Sequence, residues 1–232
     1  MRRLAPRLDI LPEAQRAFWQ ALAPLRPSGF VLYGGTAVAL LLGHRTSLDF
    51  DFFTERHIAH DDLQAEFPFI RHCEILQAEP DTLVLSCPSE GGEIKLSLFG
   101  GISFGRIGEP SLTDDGVALV ASPEDLLATK LKVIFQRAEA KDYRDIAALI
   151  RSGVPLEIGL AGARALFGKA FSPSECLRAL TWFRDGDIHT LPEEDRRLLE
   201  ETVAGVRALP HVTIASKRLA PGLEPRNDAP EP

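Results

Sequence analysis

The sequence predicts an α+β protein, in which a mixed β-sheet with flanking helices is followed by a C-terminal helical bundle. Up to about residue 120, short apolar runs are bounded by glycine and proline; beyond it, apolar residues recur at helical spacing. We therefore expect a sheet domain over residues 1–120 and a helical domain over 121–210. The proline-rich residues 211–232, poor in apolar side chains, are expected to form a disordered tail.

The elements of the sheet domain follow one another at short intervals. The predicted order is a helix at about 12–24, a strand at 29–34, a short helix at 36–43, a strand at 48–53, a helix at 61–67, a three-stranded meander at 70–76, 83–86 and 94–98, and a last strand at 117–120.

The helical domain begins at a clear start signal. Ser122 can cap the helix, Pro123 suits its first turn, and Glu124 and Asp125 favour the positive end of the helix dipole. Further helices are expected at about 140–152, 156–167, 173–184 and 192–206.

A glycine turn separates the first strand of the sheet from the helix after it. Gly34 and Gly35 permit a sharp turn and let backbone N–H groups approach an anion, which a helix N-terminus also favours. Thr36 follows at a position where its hydroxyl would meet a phosphate. The turn therefore predicts a phosphate-binding site.

The next strand carries two acidic residues. Asp49 and Asp51 are two apart, so both carboxylates point to one face while Phe50 and Phe52 enter the core. Such a pair repels unless a divalent cation lies between the carboxylates, and hard oxygen ligands suit Mg²⁺ or Mn²⁺. The alternative, two solvated acids at an exposed strand end, explains the flanking phenylalanines less well.

These motifs resemble a known family. Gly34-Gly35-Thr36, followed by the segment His44 to Phe53, is similar to the minimal nucleotidyltransferases of the DNA polymerase β superfamily. Within this superfamily, these motifs are most similar to those of the AbiEii/AbiGii toxin family, which includes the MenT toxins. The resemblance covers roughly residues 30–150 and continues at Lys130 and in the segment Lys141 to Asp145.

The resemblance implies a nucleotidyltransferase-type sheet and a function. The expected reaction is Mg²⁺-dependent transfer of a nucleotide from an NTP to a tRNA 3′ end or a protein. A separate antitoxin protein would hold the enzyme in check. In this resemblance Lys130 contacts the triphosphate and Asp145 acts near the acceptor hydroxyl or orients a ligand. Helical phase favours Lys130 over Lys132, because Lys130 flanks the apolar stripe.

Several of these assignments have open alternatives. An ordinary charged helix face is the alternative for Lys141, Asp142, Arg144 and Asp145. Arg45 could neutralise the carboxylates or hold a phosphate, and Ser47 could hydrogen-bond the turn, but a loop stabilised by local hydrogen bonds explains both equally well. The third carboxylate of such sites falls at about Ser97, whose hydroxyl is a poor Mg²⁺ ligand. A second hypothesis is therefore a catalytically degenerate fold that binds a nucleotide or a protein.

The distribution of charge and the absence of two common motifs limit the kinds of ligand that we expect the protein to bind. The segment Leu126 to Arg184 holds ten basic and five acidic residues, a local balance of +5, which suits a polyphosphate or an RNA backbone; solvated helix faces explain it equally well. Neither a Walker A motif nor G-x-G-x-x-G is present, which excludes P-loop and Rossmann sites.

The apolar segments and the cysteines of the sequence indicate a cellular compartment. No apolar stretch approaches the ~20 residues that a membrane span needs, and the N-terminus lacks the apolar segment of a signal peptide. Three cysteines without metal-ligand spacing are expected to be reduced and mostly buried. The sequence thus predicts a cytoplasmic protein that does not associate with membranes.

Overall fold

The computed structural model describes residues 2–222, and within them eight strands form one mixed sheet. The strands are Arg2–Leu4 (β1), Val31–Tyr33 (β2), Asp49–Phe53 (β3), Glu74–Glu79 (β4), Thr82–Ser89 (β5), Gly92–Phe99 (β6), Ser111–Thr113 (β7) and Leu119–Val120 (β8). The α-helices are Glu13–Phe18 (α1), Gly34–Leu42 (α2), His60–Glu66 (α3), Pro123–Val133 (α4), Ala140–Arg151 (α5), Leu156–Phe167 (α6), Pro173–Leu180 (α7) and Glu193–Gly205 (α8). The predicted α+β class is confirmed.

Strand order places β3 in the interior of the sheet. The order is β1-β7-β8-β2-β3-β6-β5-β4, with β3 antiparallel to β2 and parallel to β6. Asp51 consequently lies opposite Tyr33 on one side and Ser97 on the other. A residue on β3 is therefore held by hydrogen-bonded neighbours on both sides, which suits a site that needs fixed geometry.

Helices pack on this sheet through one continuous core, which includes residues from Leu11 to Ala220. Helix α2 contacts both α4 and α5, so the helical part of the chain closes over the strand ends next to the glycine turn. Helix α4 begins as the sequence predicts: the Ser122 hydroxyl accepts a hydrogen bond from the Asp125 backbone N–H at 3.0 Å. The division into two domains near residue 120 stays a prediction.

The N-terminal helix is shorter than predicted. Of the predicted helix at 12–24, only Glu13–Phe18 (α1) is α-helical. Trp19–Leu25 continues it as a 3₁₀-helix that contains Pro24. Proline has no N–H to donate to the preceding turn, which disfavours an α-helical continuation at this point.

The predicted disorder from residue 211 is wrong for the part of that segment that the structure describes. The Arg106 backbone N–H donates to the Ser216 carbonyl at 2.9 Å, and the Arg106 side chain donates to the Arg218 carbonyl at 3.1 Å. Leu219 is fully buried, and its N–H donates to Glu55. These partners are distant in sequence, so composition could not indicate them. Residues 223–232 lie outside the described residues.

The prediction that all cysteines are reduced is also wrong. Cys73 and Cys87 form a disulfide, whereas Cys176 is free and buried. Glu74 pairs with Ser86 in the β4–β5 ladder, so the two cysteines are brought together just beyond that pair. Burial raises the pKa of the Cys176 thiol to about 12.

Candidate active site

Two carboxylates on β3 form the centre of the site. Asp49 and Asp51 both line one cleft, while Phe50 and Phe52 are buried on the opposite face, as the strand alternation predicts. Burial, followed by the neighbouring charge of Asp49, raises the pKa of Asp51 and outweighs the opposing effects of Lys130 and the Ser97 hydroxyl. The pair is therefore an electrostatically costly arrangement that a bound cation would relieve.

Both glycines of the turn are required by close neighbours. Gly34 has φ +72°, and a Cβ placed on it would lie 2.3 Å from Asp51 Oδ2. A Cβ on Gly35 would lie 2.5 Å from Arg45 Nη2 and 2.9 Å from Ser47 Oγ. The start of α2 thus approaches the Asp51 carboxylate, Arg45 and Ser47 closely, and glycine leaves room for them.

A buried ionic network lies beside this turn. Lys130 Nζ is 2.8 Å from Asp142 Oδ1 and 2.6 Å from Asp145 Oδ2, and both carboxylates are fully buried. Arg45 contacts Asp145 through Nε at 2.6 Å and Nη2 at 2.8 Å, and His44 Nε2 lies 2.8 Å from Oδ1 of the same carboxylate. The network joins α4, α5 and the loop before β3 at one point.

This network holds two cationic side chains, Arg45 and Lys130, at the cleft, whereas its acidic side chains are buried beneath them. Lys130 and Arg45 line the cleft, and their expected contact with a triphosphate stays a prediction. Asp145 is fully buried between them, and its carboxylate contacts both Arg45 and Lys130. Its expected role near an acceptor hydroxyl stays a prediction. Lys132 instead donates to the Ala170 carbonyl.

The cleft itself has a volume of about 570 Å³. Its floor is the sheet face that carries Asp49 and Asp51. Its cationic side chains come from strand, loop and helices: Arg45, Lys95, Lys130, Arg137 and Lys141. Such a concentration of positive charge around two carboxylates matches a polyanion that arrives with a divalent cation.

A smaller chamber of about 370 Å³ adjoins the cleft and shares Asp51 and Lys130 with it. Its aromatic side chains include Tyr33 and Phe53, which stack with ring centroids 4.9 Å apart. Phe104 and Phe167 also line this chamber. The site therefore combines a charged compartment with one that is lined largely by aromatic side chains.

The other predicted residues have specific places. The Thr36 hydroxyl is buried and donates to the Asp49 main-chain carbonyl, so it holds the strand that bears the acids. Ser47 lines the cleft beside Gly35. Ser97 lies in register with Asp51, where the sequence analysis expected a third carboxylate.

Sequence reasoning assigned no role to Lys95 and Arg137, both of which line the cleft. The only signal for Lys95 was its spacing of two residues from Ser97, which places both side chains on one strand face. Arg137 pairs with Asp142 at 2.8 Å, a contact that the loop between α4 and α5 creates.

The donor set fits one divalent cation. Asp49 and Asp51 offer carboxylate oxygens, and Ser97 adds a hydroxyl on the neighbouring strand. Magnesium is commonly held by one or two carboxylates together with substrate phosphates and water. Within residues 2–222, no group of three or more His, Cys, Asp or Glu side chains is arranged to hold a metal ion.

No single helix among residues 2–222 is long and apolar enough to cross a membrane, and the pair formed by α5 and the helical segment 156–170 reaches that length only across a 120° bend.

The fold is that of a nucleotidyltransferase. An antigenic nucleotidyltransferase-like protein from Paracoccidioides brasiliensis superposes with a TM-score of 0.53 at 18% identity, over 83% of this chain and 94% of that one. MenT4, a nucleotidyltransferase toxin from Mycobacterium tuberculosis H37Rv, superposes with a TM-score of 0.48 at 16% identity, over 82% of this chain and 90% of that one.

Sequence comparison identifies the family. The profile of the family described as "Nucleotidyl transferase AbiEii toxin, Type IV TA system" matches residues 18–212, and the chain belongs to this family. An uncharacterised protein from Aquifex aeolicus (strain VF5) is 31% identical over 124 residues, which make up 53% of this chain. The matched region spans 58% of the length of that relative.

Proposed function

We propose that the protein transfers a nucleotide from an NTP to an acceptor hydroxyl and that it acts as the toxin of a toxin–antitoxin pair. One observation carries the proposal: Asp49 and Asp51 lie side by side at the glycine turn, on the floor of a cleft with five cationic side chains. Family membership supports the reaction class and an antitoxin partner.

In the proposed reaction, the acceptor oxygen attacks the α-phosphorus of the NTP. The new O–P bond forms as the bond between the α-phosphorus and the α,β-bridging oxygen breaks. Pyrophosphate leaves with that electron pair, and the hydroxyl proton passes to solvent in the open cleft. A divalent cation held by Asp49 and Asp51 would supply Lewis-acid activation of the α-phosphate and of the hydroxyl.

The chain's own residues supply position and charge. Asp142 and Asp145 hold the Lys130 ammonium, and Asp145 holds the Arg45 guanidinium through two hydrogen bonds, so neither cation has to be ordered when the triphosphate binds. Gly34 and Gly35 keep the start of α2 free of side chains, which lets its N–H groups face a phosphate.

The proposed acceptor rests on the positive charge of the cleft, and the proposed cellular compartment rests on where the substrates occur. We propose RNA as the acceptor, with tRNA 3′ ends first, because the basic segment from Leu126 to Arg184 contributes Lys130, Arg137 and Lys141 to the cleft. Mg²⁺ or Mn²⁺ is the proposed cation. The cytoplasm, where tRNA and NTP are both present, is the proposed location.

One observation favours the second candidate, a degenerate fold that binds a nucleotide without transferring it. Ser97 occupies the position in register with Asp51, where a third carboxylate was expected. In that case Asp49 and Asp51 would still bind a cation and a nucleotide, but no transfer would follow.

The test is incubation of the purified protein with each labelled NTP, Mg²⁺ and total tRNA. We expect label to enter RNA, and Asp51→Ala to abolish it. Asp61→Ala is the matched control, because the Asp61 side chain is fully exposed on α3 and should leave transfer unchanged. Nucleotide binding without transfer to RNA or to protein would establish the second candidate instead.

A further inference from the structure

Among the cationic side chains of the cleft, Lys95 is the one that lies on the strand next to Asp49. It lies on β6 in register with Asp49, and its side chain is half exposed in the cleft. Its Nζ is 4.0 Å from Asp49 Oδ1. An ammonium group therefore stands directly beside the outer carboxylate of the pair.

Among the residues that the structure describes, no further acid lines the cleft beside this pair. Ser97 takes the position opposite Asp51. Glu93 lies two residues before Lys95 and opposite Pro88, beyond the part of β6 that pairs with β3, and its carboxylate accepts a hydrogen bond from Ser86. Among residues 2–222, no third His, Cys, Asp or Glu joins the pair.

These contacts disfavour two metal ions. In two-metal sites the ions lie about 3.5–4 Å apart and clamp the attacking and leaving oxygens. A second dication beside Asp49 would need additional negative ligands, but here it would meet the Lys95 ammonium and a neutral serine hydroxyl. Electrostatic repulsion would exclude it.

We infer that the site takes a single divalent cation, and that the Lys95 ammonium supplies the second positive charge by binding phosphate oxygens of the NTP. The inference rests on the proposed function. Lysine suits this role because its ammonium is a point charge with three donors on a flexible stem, which can move from Asp49 to an arriving phosphate.

The bonds made and broken in the transfer step are unchanged. Lys95 stays protonated throughout and neutralises charge on the triphosphate and on the departing pyrophosphate. The proton of the acceptor hydroxyl still passes to solvent. Lys95 therefore differs from Lys130, whose ammonium is already held by two buried carboxylates.

Electron paramagnetic resonance with Mn²⁺ and α,β-methylene analogues of the four NTPs tests the cation count. We expect one bound Mn²⁺ per protein–nucleotide complex, without spin coupling between manganese ions. Lys95→Met should keep that single ion. Lys95→Met combined with Ser97→Asp should bind two spin-coupled ions, because it removes the ammonium and adds the third carboxylate.

Binding of inorganic tripolyphosphate in the presence of Mn²⁺ tests the role of Lys95 itself. We expect Lys95→Met to weaken this binding at least tenfold, while Lys169→Met, at an exposed lysine outside the cleft, leaves it unchanged. Thermal unfolding of each variant confirms that it is folded; Lys95 is half exposed, so the substitution creates no cavity.

Two coupled manganese ions in the wild type, or unchanged tripolyphosphate binding in Lys95→Met, would overturn the inference. Either result would leave the proposed function intact if wild-type protein still labels RNA. Absence of both Mn²⁺ binding and transfer in the wild type would instead overturn the proposed function and the inference together.

Discussion

Arg45 and Asp145, which are 100 residues apart in the chain, meet through two hydrogen bonds of 2.6 and 2.8 Å, one to each carboxylate oxygen. The carboxylate is fully buried, and the guanidinium is almost so. Bidentate arginine–carboxylate pairs are among the stronger charge-assisted contacts in proteins. This pair ties the loop before β3 to α5, so stability and the geometry of the candidate site depend on the same contact.

Removal of the Asp145 carboxylate should therefore destabilise the fold. Asp145→Ala leaves Arg45 without its bidentate partner and Lys130 with one acid fewer, and we expect a loss of about 3–5 kcal/mol in the free energy of unfolding. Denaturant titration measures it. Asp185→Ala, at an exposed acid outside the network, should cost less than about 0.5 kcal/mol. Similar losses in both variants would contradict the assigned role.

The Asp145 carboxylate should also make the free energy of unfolding depend on pH. Burial alone would raise the pKa of Asp145, but the hydrogen bond to His44 and the charges of Lys130 and Arg45 outweigh it and hold the pKa well below its usual range. A depressed folded-state pKa contributes stability above the unfolded value of about 4. We expect stability to fall as the pH drops below about 4, with a weaker slope in Asp145→Asn. Equal slopes in urea titrations at pH 2–5 would refute this.

Asp51 should behave in the opposite way. Burial and the charge of Asp49 raise its pKa, so the ionised carboxylate costs stability at neutral pH, and protonation relieves that cost as the pH falls. Asp51→Asn should raise the free energy of unfolding by about 1 kcal/mol in EDTA, as is usual when a strained active-site charge is removed. It should also abolish Mn²⁺ binding. A destabilised variant in EDTA would contradict the prediction.

Gly34 offers a matched pair with Gly116, because their φ angles are +72° and +75°. Gly116→Ala meets nothing within 4 Å and should cost only the strain of a left-handed alanine, about 1–2 kcal/mol. Gly34→Ala places its methyl group against Asp51 and should cost more, with loss of Mn²⁺ binding. Thermal unfolding and calorimetry compare the two. Equal effects would show that the contact between Gly34 and the Asp51 carboxylate does not limit the residue at this position.

The disulfide should contribute independently of the site. It closes a segment of 14 residues, for which chain entropy gives roughly 3 kcal/mol. We expect Cys73→Ser with Cys87→Ser to lower stability by up to that amount and to abolish the effect of a reducing agent. Cys176→Ser should retain the effect, because Cys176 is unpaired. The readout is urea unfolding with and without dithiothreitol.

Local patterns predicted the features that local chemistry determines. Strand alternation placed Asp49 and Asp51 on one face, and the Ser122 cap marked the start of α4. The fold class followed from the change of pattern near residue 120. The roles assigned to individual site residues stay predictions.

Contacts between residues that are far apart in the chain could not be predicted from local sequence patterns. The position of Lys95 beside Asp49 depends on the parallel register of β3 and β6, which no local pattern encodes. The burial of Asp145 depends on partners from α4 and from the loop before β3. The Cys73–Cys87 bond depends likewise on pairing between β4 and β5.

The contacts of Arg106 with Ser216 and Arg218 bear on how this protein should be cut for expression. The family profile stops at residue 212, and a boundary drawn there would remove one carbonyl acceptor from the Arg106 backbone N–H and another from its guanidinium. Arg106 is only 6% exposed, so water could not easily replace these acceptors. Such a boundary would also uncover the surface beneath Leu219. A gene fragment for crystallisation or for antitoxin capture should therefore encode the chain at least to residue 222, since a shorter product invites aggregation that would be mistaken for toxicity.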